Sequence, residues 1–345
     1  MRLRTEILLM LAVVGVLPGR PVFAQCTPFG NPPQTLLADI KPRCTGGKLL
    51  GPWNDSDGTA RYSCLYEPSQ ASPKATLPLV VYVHPSETNA DSIVVTNLVG
   101  LIKTANLNDD PTRPGFILLA PEGRNITHLY GPPGTTDSQG PGWDNWYRQL
   151  SPAGVTIDGT TYPENVDAAT IDQFIAQEVA TGKVDTNRIF LTGWSNGSSM
   201  AFLYGLSRPN IAALAPYSGP NPFGYLFDPC YQTPVAGAPL DNTELTISNP
   251  TLPIYHVHNN CDTAGSCPNA EWLIAQLLPL GTFVQDTIIS KSQAPANDCD
   301  LTCGSSFFGS AGTTQGEQNH VRWPTVWNLA MLDFFRRHPL NGRPQ

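Results

Sequence analysis

Gly193, Ser195 and Gly197 are spaced G-x-S-x-G within LTGWSNGSSM, Leu191 to Met200. A serine there can act as a nucleophile if the chain leaves a strand and turns sharply into a helix. A chain of 345 residues with 30 glycines also produces this spacing by chance, so partners and flanking elements must decide its meaning. A serine hydroxyl is weakly nucleophilic at neutral pH. It needs a base to take its proton and a carboxylate to orient that base. Around such a turn the chain order is serine, acid, histidine. Downstream of Ser195 lie His256, His258, His320 and His338. His256 and His258 fall within an apolar run and are expected to pack or brace. His338 follows Arg336 and Arg337 and reads as a solvated helix end. His320, in the polar loop GEQNHVRWP, is the candidate base. Asp262, directly after IYHVHNNC, is the candidate acid, with Asp286, Asp298 and Asp300 as rivals. A tetrahedral intermediate also needs two backbone donors for its oxyanion. Asn196 supplies one. The other is expected from His84-Pro85-Ser86-Glu87-Thr88; Pro85 has no amide hydrogen, so Ser86 is the first choice and Glu87 the second.

These residues require an alternating frame. Leu77 to Val83 (LPLVVYV) and Gly115 to Ala120 (GFILLA) are continuous apolar runs, as are Ile189 to Thr192, Ala212 to Tyr217 and Leu252 to His258. Such runs fit strands buried on both faces of a parallel sheet. Thr59 to Tyr66 reads as a first strand. Thr161 to Glu164 reads as a capping box opening a helix that runs to Ala180, with Ile171, Phe174, Ile175 and Val179 on one face and Gly182 ending it. Asn196 to about Leu206 reads as a helix directly after the serine. A last helix starts at Pro324 and carries Trp327, Met331, Phe334 and Phe335. The expected fold class is α/β, a mainly parallel sheet with helices on both faces.

Residues 1–24 combine Arg2 and Arg4, an apolar stretch from Ile7 to Leu17, and small residues at Val22 and Ala24. That is the pattern of a secretory signal peptide, with an apolar run too short to cross a bilayer. Residues 25–58, rich in Pro, Gly and Asn, read as an irregular disulfide-stapled segment, and 59–345 as the catalytic domain. After cleavage, 17 basic and 27 acidic residues leave a charge of −10. With no basic run, the chain is not expected to bind nucleic acid. A secreted or periplasmic monomer that does not associate with the membrane is expected. All eight cysteines lie beyond residue 24, and an even count behind a signal peptide points to disulfides. Cys261 with Cys267, and Cys299 with Cys303, are close enough in sequence to form local staples. No C-x-x-C pair exists and no histidine joins the cysteines at zinc spacing, so neither metal nor cofactor is expected.

With these residues placed, the chain resembles the α/β-hydrolase superfamily. Within it, the chain is similar to the secreted esterases that include polyhydroxybutyrate depolymerases and feruloyl esterases. The resemblance rests on VDTNRIFLTGWSNGSSMA, HVHNNCD and NHVRWP, and runs from about residue 60 to 340. It implies Ser195, Asp262 and His320 as the triad, and a polymeric or oligomeric ester as substrate. Oxidised poly(vinyl alcohol) hydrolases, which cleave β-diketones, belong to the same group. Two features depart from the family. His84-Pro85 stands where the family has His-Gly, and Cys261 to about Leu280 differs from the common acid loop and is a candidate lid. Trp194, Trp272, Trp323 and Trp143 are candidate substrate-binding walls. The aromatic stretch GWDNWY alone would also suit a non-catalytic polymer or carbohydrate binder.

Overall fold

The computed structural model describes residues 40–56, 58–128, 138–143, 155–157, 160–162, 165–219, 221–222, 247–262, 269–289, 299–300, 303 and 320–342. The expected signal segment 1–24 lies outside them. The described strands are β1 (Lys48–Asn54), β2 (Ala60–Tyr66), β3 (Leu77–Val83), β4 (Ile117–Pro121), β5 (Arg124–His128), β6 (Ser138–Gly142), β7 (Val155–Ile157), β8 (Thr160–Tyr162), β9 (Val184–Trp194), β10 (Ala213–Tyr217), β11 (Ile254–Asn259) and β12 (Val284–Ile289). The described α-helices are α1 (Val166–Val179), α2 (Asn196–Ser207), α3 (Asn269–Leu277) and α4 (Asn328–Arg337).

Eight strands form one sheet in the order β1-β2-β4-β3-β9-β10-β11-β12. From β4 through β12 every neighbouring pair is parallel; β1–β2 and β2–β4 are antiparallel. The continuous apolar runs form the centre of this sheet because both faces are covered. Leu77, Leu79, Val81 and Val83 of β3 join a core with Ile171 and Phe174 of α1, Leu203 of α2, and Leu273 and Leu277 of α3. The alternating residues Val80 and Tyr82 join an opposite core with Met331, Leu332, Phe334 and Phe335 of α4. Each such large side chain, fully removed from water, contributes about 1.5–3 kcal/mol. No helix among the described residues is long and apolar enough to cross a membrane.

Several sequence expectations need correction. Residues 48–54, expected to be irregular, form β1 and pair antiparallel with β2 from Lys48↔Leu65 to Asn54↔Ala60, with a register shift between Leu50 and Trp53. The capping box at Thr161 does not form. Thr160–Tyr162 is strand β8, paired with β7, and Pro163 disfavours a helical Tyr162. Helix α1 begins four residues later, where the Asn165 side chain accepts from the amides of Asp167 and Ala168 at 3.0 and 2.9 Å. The local cysteine staples are also replaced. Cys261 bonds Cys303 across 42 residues, and Cys44 bonds Cys64. The reason lies in chain path: the Asp300 amide donates to the Asn260 carbonyl at 2.8 Å, so the segment around 300 runs beside the end of β11. Cys299 is disulfide-bonded as well, and no cysteine among the described residues is free. Helix α3 buries Leu273 and Leu277 completely in the core, while residues 263–268 of the candidate lid and the Trp272 side chain lie outside the described residues.

Candidate active site

The chain leaves β9 at Trp194 and enters α2 at Asn196, and the single residue between them, Ser195, takes φ 57° and ψ −124°. This sparsely populated conformation costs on the order of 1–3 kcal/mol and persists only where the surroundings impose it. Here they do. The Ser195 amide donates to the Tyr217 carbonyl at 3.1 Å on β10, and its own carbonyl accepts from the Ser199 amide at 3.0 Å. A Cβ at Gly193 would strike the Gly197 carbonyl, and one at Gly197 would strike the carbonyls of Val83 and His84. The two glycines therefore let α2 press directly on β9 and on the end of β3. All twelve residues of α2 are buried, which fixes the turn from below.

Three side chains from distant parts of the chain meet here. The Ser195 Oγ lies 2.6 Å from Nε2 of His320. The Nδ1 of His320 lies 3.0 and 3.1 Å from the two carboxylate oxygens of Asp262. Asp262 is fully buried in the turn after β11, its amide donating to the Asn259 carbonyl at 2.8 Å; His320 is 3 % exposed and Ser195 9 %. A carboxylate on Nδ1 favours the tautomer with a hydrogen there, leaving Nε2 with its lone pair toward the hydroxyl. The Trp194 indole donates to the His320 carbonyl at 2.8 Å, so the residue before the serine also anchors the histidine.

The loop after β3 is held from several sides. His84 donates from Nδ1 to the Pro85 carbonyl at 2.8 Å and accepts on Nε2 from the Gly123 amide at 2.9 Å, a neutral ring bonded at both nitrogens. The Trp143 indole donates to the His84 carbonyl at 2.8 Å. The Trp143 backbone and the Asn196 side chain exchange two hydrogen bonds, at 2.8 and 3.2 Å, tying this loop system to the start of α2. The Glu87 amide donates to the Pro141 carbonyl at 2.8 Å and is thereby committed. Neither the Ser86 nor the Asn196 amide has a partner among the described residues. Asn196 directly follows the serine, and Ser86 stands three residues beyond the end of β3. Glu122, just after β4, receives the Ala90 amide at 2.7 Å, and burial raises its carboxyl well above the ordinary range. Sequence reasoning missed Glu122 and the bracing roles of His84 and Trp143. A lone acid directly after the apolar strand GFILLAP was the available signal.

The remaining expected residues are placed as follows. Trp194, Trp143 and Trp323 are all buried, at 8, 1 and 5 % exposure. Trp323 packs edge-on against Tyr82, Trp194 and Tyr217, and its indole donates to Asn328 Oδ1 at 2.8 Å. Trp272 lies on α3, and its side chain falls outside the described residues, as do Trp146, Tyr147, Asp298 and Cys267. Asp286, the rival acid, is 3.0 Å from His256 Nδ1, and His258 donates from Nε2 to Glu271 at 3.1 Å. His338 donates from Nδ1 to the Phe334 carbonyl at 2.7 Å.

No protein-family model and no curated protein matches this sequence. Among solved structures it is similar to a thermostable esterase, at 17 % identity and a TM-score of 0.51, over 86 % of this chain and 64 % of that one. The chain has the α/β-hydrolase fold. This fold accounts for the mixed sheet with a parallel centre and for a serine turn at the carboxyl end of a central strand. Weaker likenesses are to SOBER1 of Arabidopsis thaliana (14 % identity, TM-score 0.42, 64 % of this chain and 93 % of that one). A further one is to the Bacillus cereus carboxylesterase (12 % identity, TM-score 0.39, 68 % and 87 %). The chain spans about two thirds of the length of the thermostable esterase.

Proposed function

We propose that the protein is a secreted serine hydrolase that cleaves acyl bonds, of an ester or a β-diketone, in an extracellular polymer or its fragments. The observation that carries this reading is the continuous hydrogen-bond chain from Ser195 Oγ through His320 to Asp262 on an α/β-hydrolase fold. In this reading Ser195 Oγ attacks the carbonyl carbon while His320 Nε2 takes the hydroxyl proton. Asp262 stays ionised and stabilises the resulting imidazolium. The amides of Asn196 and Ser86 receive the oxyanion. His320 returns the proton to the leaving group, an alkoxide oxygen of an ester or an enolate carbon of a β-diketone. Water, activated by the same histidine, then releases the acid from Ser195. Trp194, buried beside the nucleophile, contributes apolar wall only where its exposed edge meets the substrate.

The test compares the protein with Ser195→Ala on a short p-nitrophenyl ester, then on feruloyl esters, hydroxybutyrate oligomers and β-diketones. Loss of turnover by the variant, with its fold intact, is expected. Activity retained by Ser195→Ala would remove the nucleophile, and binding of polymer without turnover by either protein would favour the non-catalytic binder. Turnover of β-diketones above esters would select the carbon leaving group.

A further inference from the structure

Two buried histidines are not consumed by the reaction just described. His256 and His258 alternate along β11, so both face the same side of the sheet, and His256 is the register partner of Asp286 on β12. The Asp286 Oδ1 lies 3.0 Å from His256 Nδ1 and 3.6 Å from His258 Nδ1. The second distance is too long for a hydrogen bond, and His258 Nδ1 is buried without a hydrogen-bond partner. Both histidine side chains are 1 % exposed or less. One ligand atom from each of the three residues lies within 4.8 Å of the other two.

We propose that His256, His258 and Asp286 form a binding site for a divalent transition ion of the zinc type, unrelated to the serine chemistry. Ligands bound at about 2.0–2.2 Å in a tetrahedron stand roughly 3.3 Å apart, and the separations of 3.0 and 3.6 Å bracket that spacing. Two imidazoles and one carboxylate are a donor set that suits such an ion and not magnesium or calcium, which prefer oxygen alone. The second nitrogen of His258 is already oriented. Its Nε2 faces Glu271 Oε1 at 3.1 Å, the carboxylate–histidine arrangement that turns the other nitrogen toward a metal. Asp286 is 40 % exposed, which gives the ion an entry path and leaves water as the fourth ligand. The bound ion would join β11, β12 and, through Glu271, α3. Its role is to fasten the last strands of the sheet, four residues before Asp262.

The test uses the untagged full chain, stripped with a chelator and titrated with Zn2+ by calorimetry. A parallel Co2+ titration is followed by visible absorption. One equivalent of Zn2+ per chain, a rise in melting temperature on binding, and a Co2+ spectrum of tetrahedral intensity are expected. His258→Gln and Asp286→Asn should abolish the tight equivalent. Glu271→Gln should weaken it about 10–100-fold while its circular dichroism stays that of the parent. Absence of a tight equivalent in the folded parent overturns the proposal. So does equal binding by parent, His258→Gln and Asp286→Asn, which would mark an adventitious surface ion. Ser195→Ala should bind the ion unchanged, so the result does not depend on the hydrolase reading.

Discussion

At the scale of single residues, two carboxyl groups near the serine turn behave differently. Asp262 is fully buried yet has both oxygens directed at His320 Nδ1. Asp262→Asn keeps the shape and one hydrogen bond but can present an amide hydrogen where an acceptor is needed, turning the imidazole to the wrong tautomer. We expect kcat to fall by about 10⁴-fold with little change in the melting temperature. Steady-state kinetics near the parent rate would assign orientation of His320 to another group. Glu122 is a second buried carboxyl group. Burial raises its folded-state pKa well above the ordinary value, although the Ala90 amide and Arg61 oppose the shift. The native state therefore holds a proton that the unfolded chain gives up above about pH 4.5. That contribution is present below the unfolded pKa and is lost as pH rises through the folded one. Urea unfolding across this window should show stability declining with pH, and Glu122→Gln should flatten the decline while keeping an acceptor for Ala90. Equal slopes in both proteins would show that Glu122 ionises normally.

At the scale of elements, the serine turn depends on three pieces that touch at two glycines. Gly197→Ala puts a methyl group into the carbonyls of Val83 and His84, neither of which has room to move between β3 and β9. We expect a loss of about 1–3 kcal/mol or more in stability and a larger loss of activity than of stability, measured by denaturant unfolding and initial rates. An active, stable variant would mean that α2 can lift off the sheet. The elements around this turn were legible because the information is local. LPLVVYV became β3 without adjustment, since an uninterrupted apolar run has one stable use in a covered sheet. The serine, histidine and acid were legible through chain order. Other features were not local. Asn165 outcompeted Thr161 as a cap because the β7–β8 hairpin claimed Thr161 first. The partner of Cys261 depended on where residue 300 runs in space, which spacing does not encode. The brace of His84, Trp143 and Asn196 spans 59 and 53 residues and left no pattern to read.

At the scale of the molecule, the candidate catalytic groups come from beyond the ends of β3, β9 and β11, with β10 between the last two, and from His320, 58 residues after the acid. The Cys261–Cys303 bridge closes a loop of 42 residues, for which chain entropy alone gives about 4 kcal/mol. Replacing both cysteines by alanine should lower the melting temperature and reduce kcat more than KM, because Cys261 adjoins Asp262. A double variant with parent kcat would show that the acid turn is self-supporting. The bridge has a further consequence, for timing. One of its ends adjoins the acid, and the other lies on the stretch leading to the base. While both thiols are reduced, that covalent restraint on acid and base is missing, and a newly made chain should be a poor catalyst. For the secreted hydrolase proposed above, oxidation would then act as the activating event and would spare the producing cell its hydrolytic action.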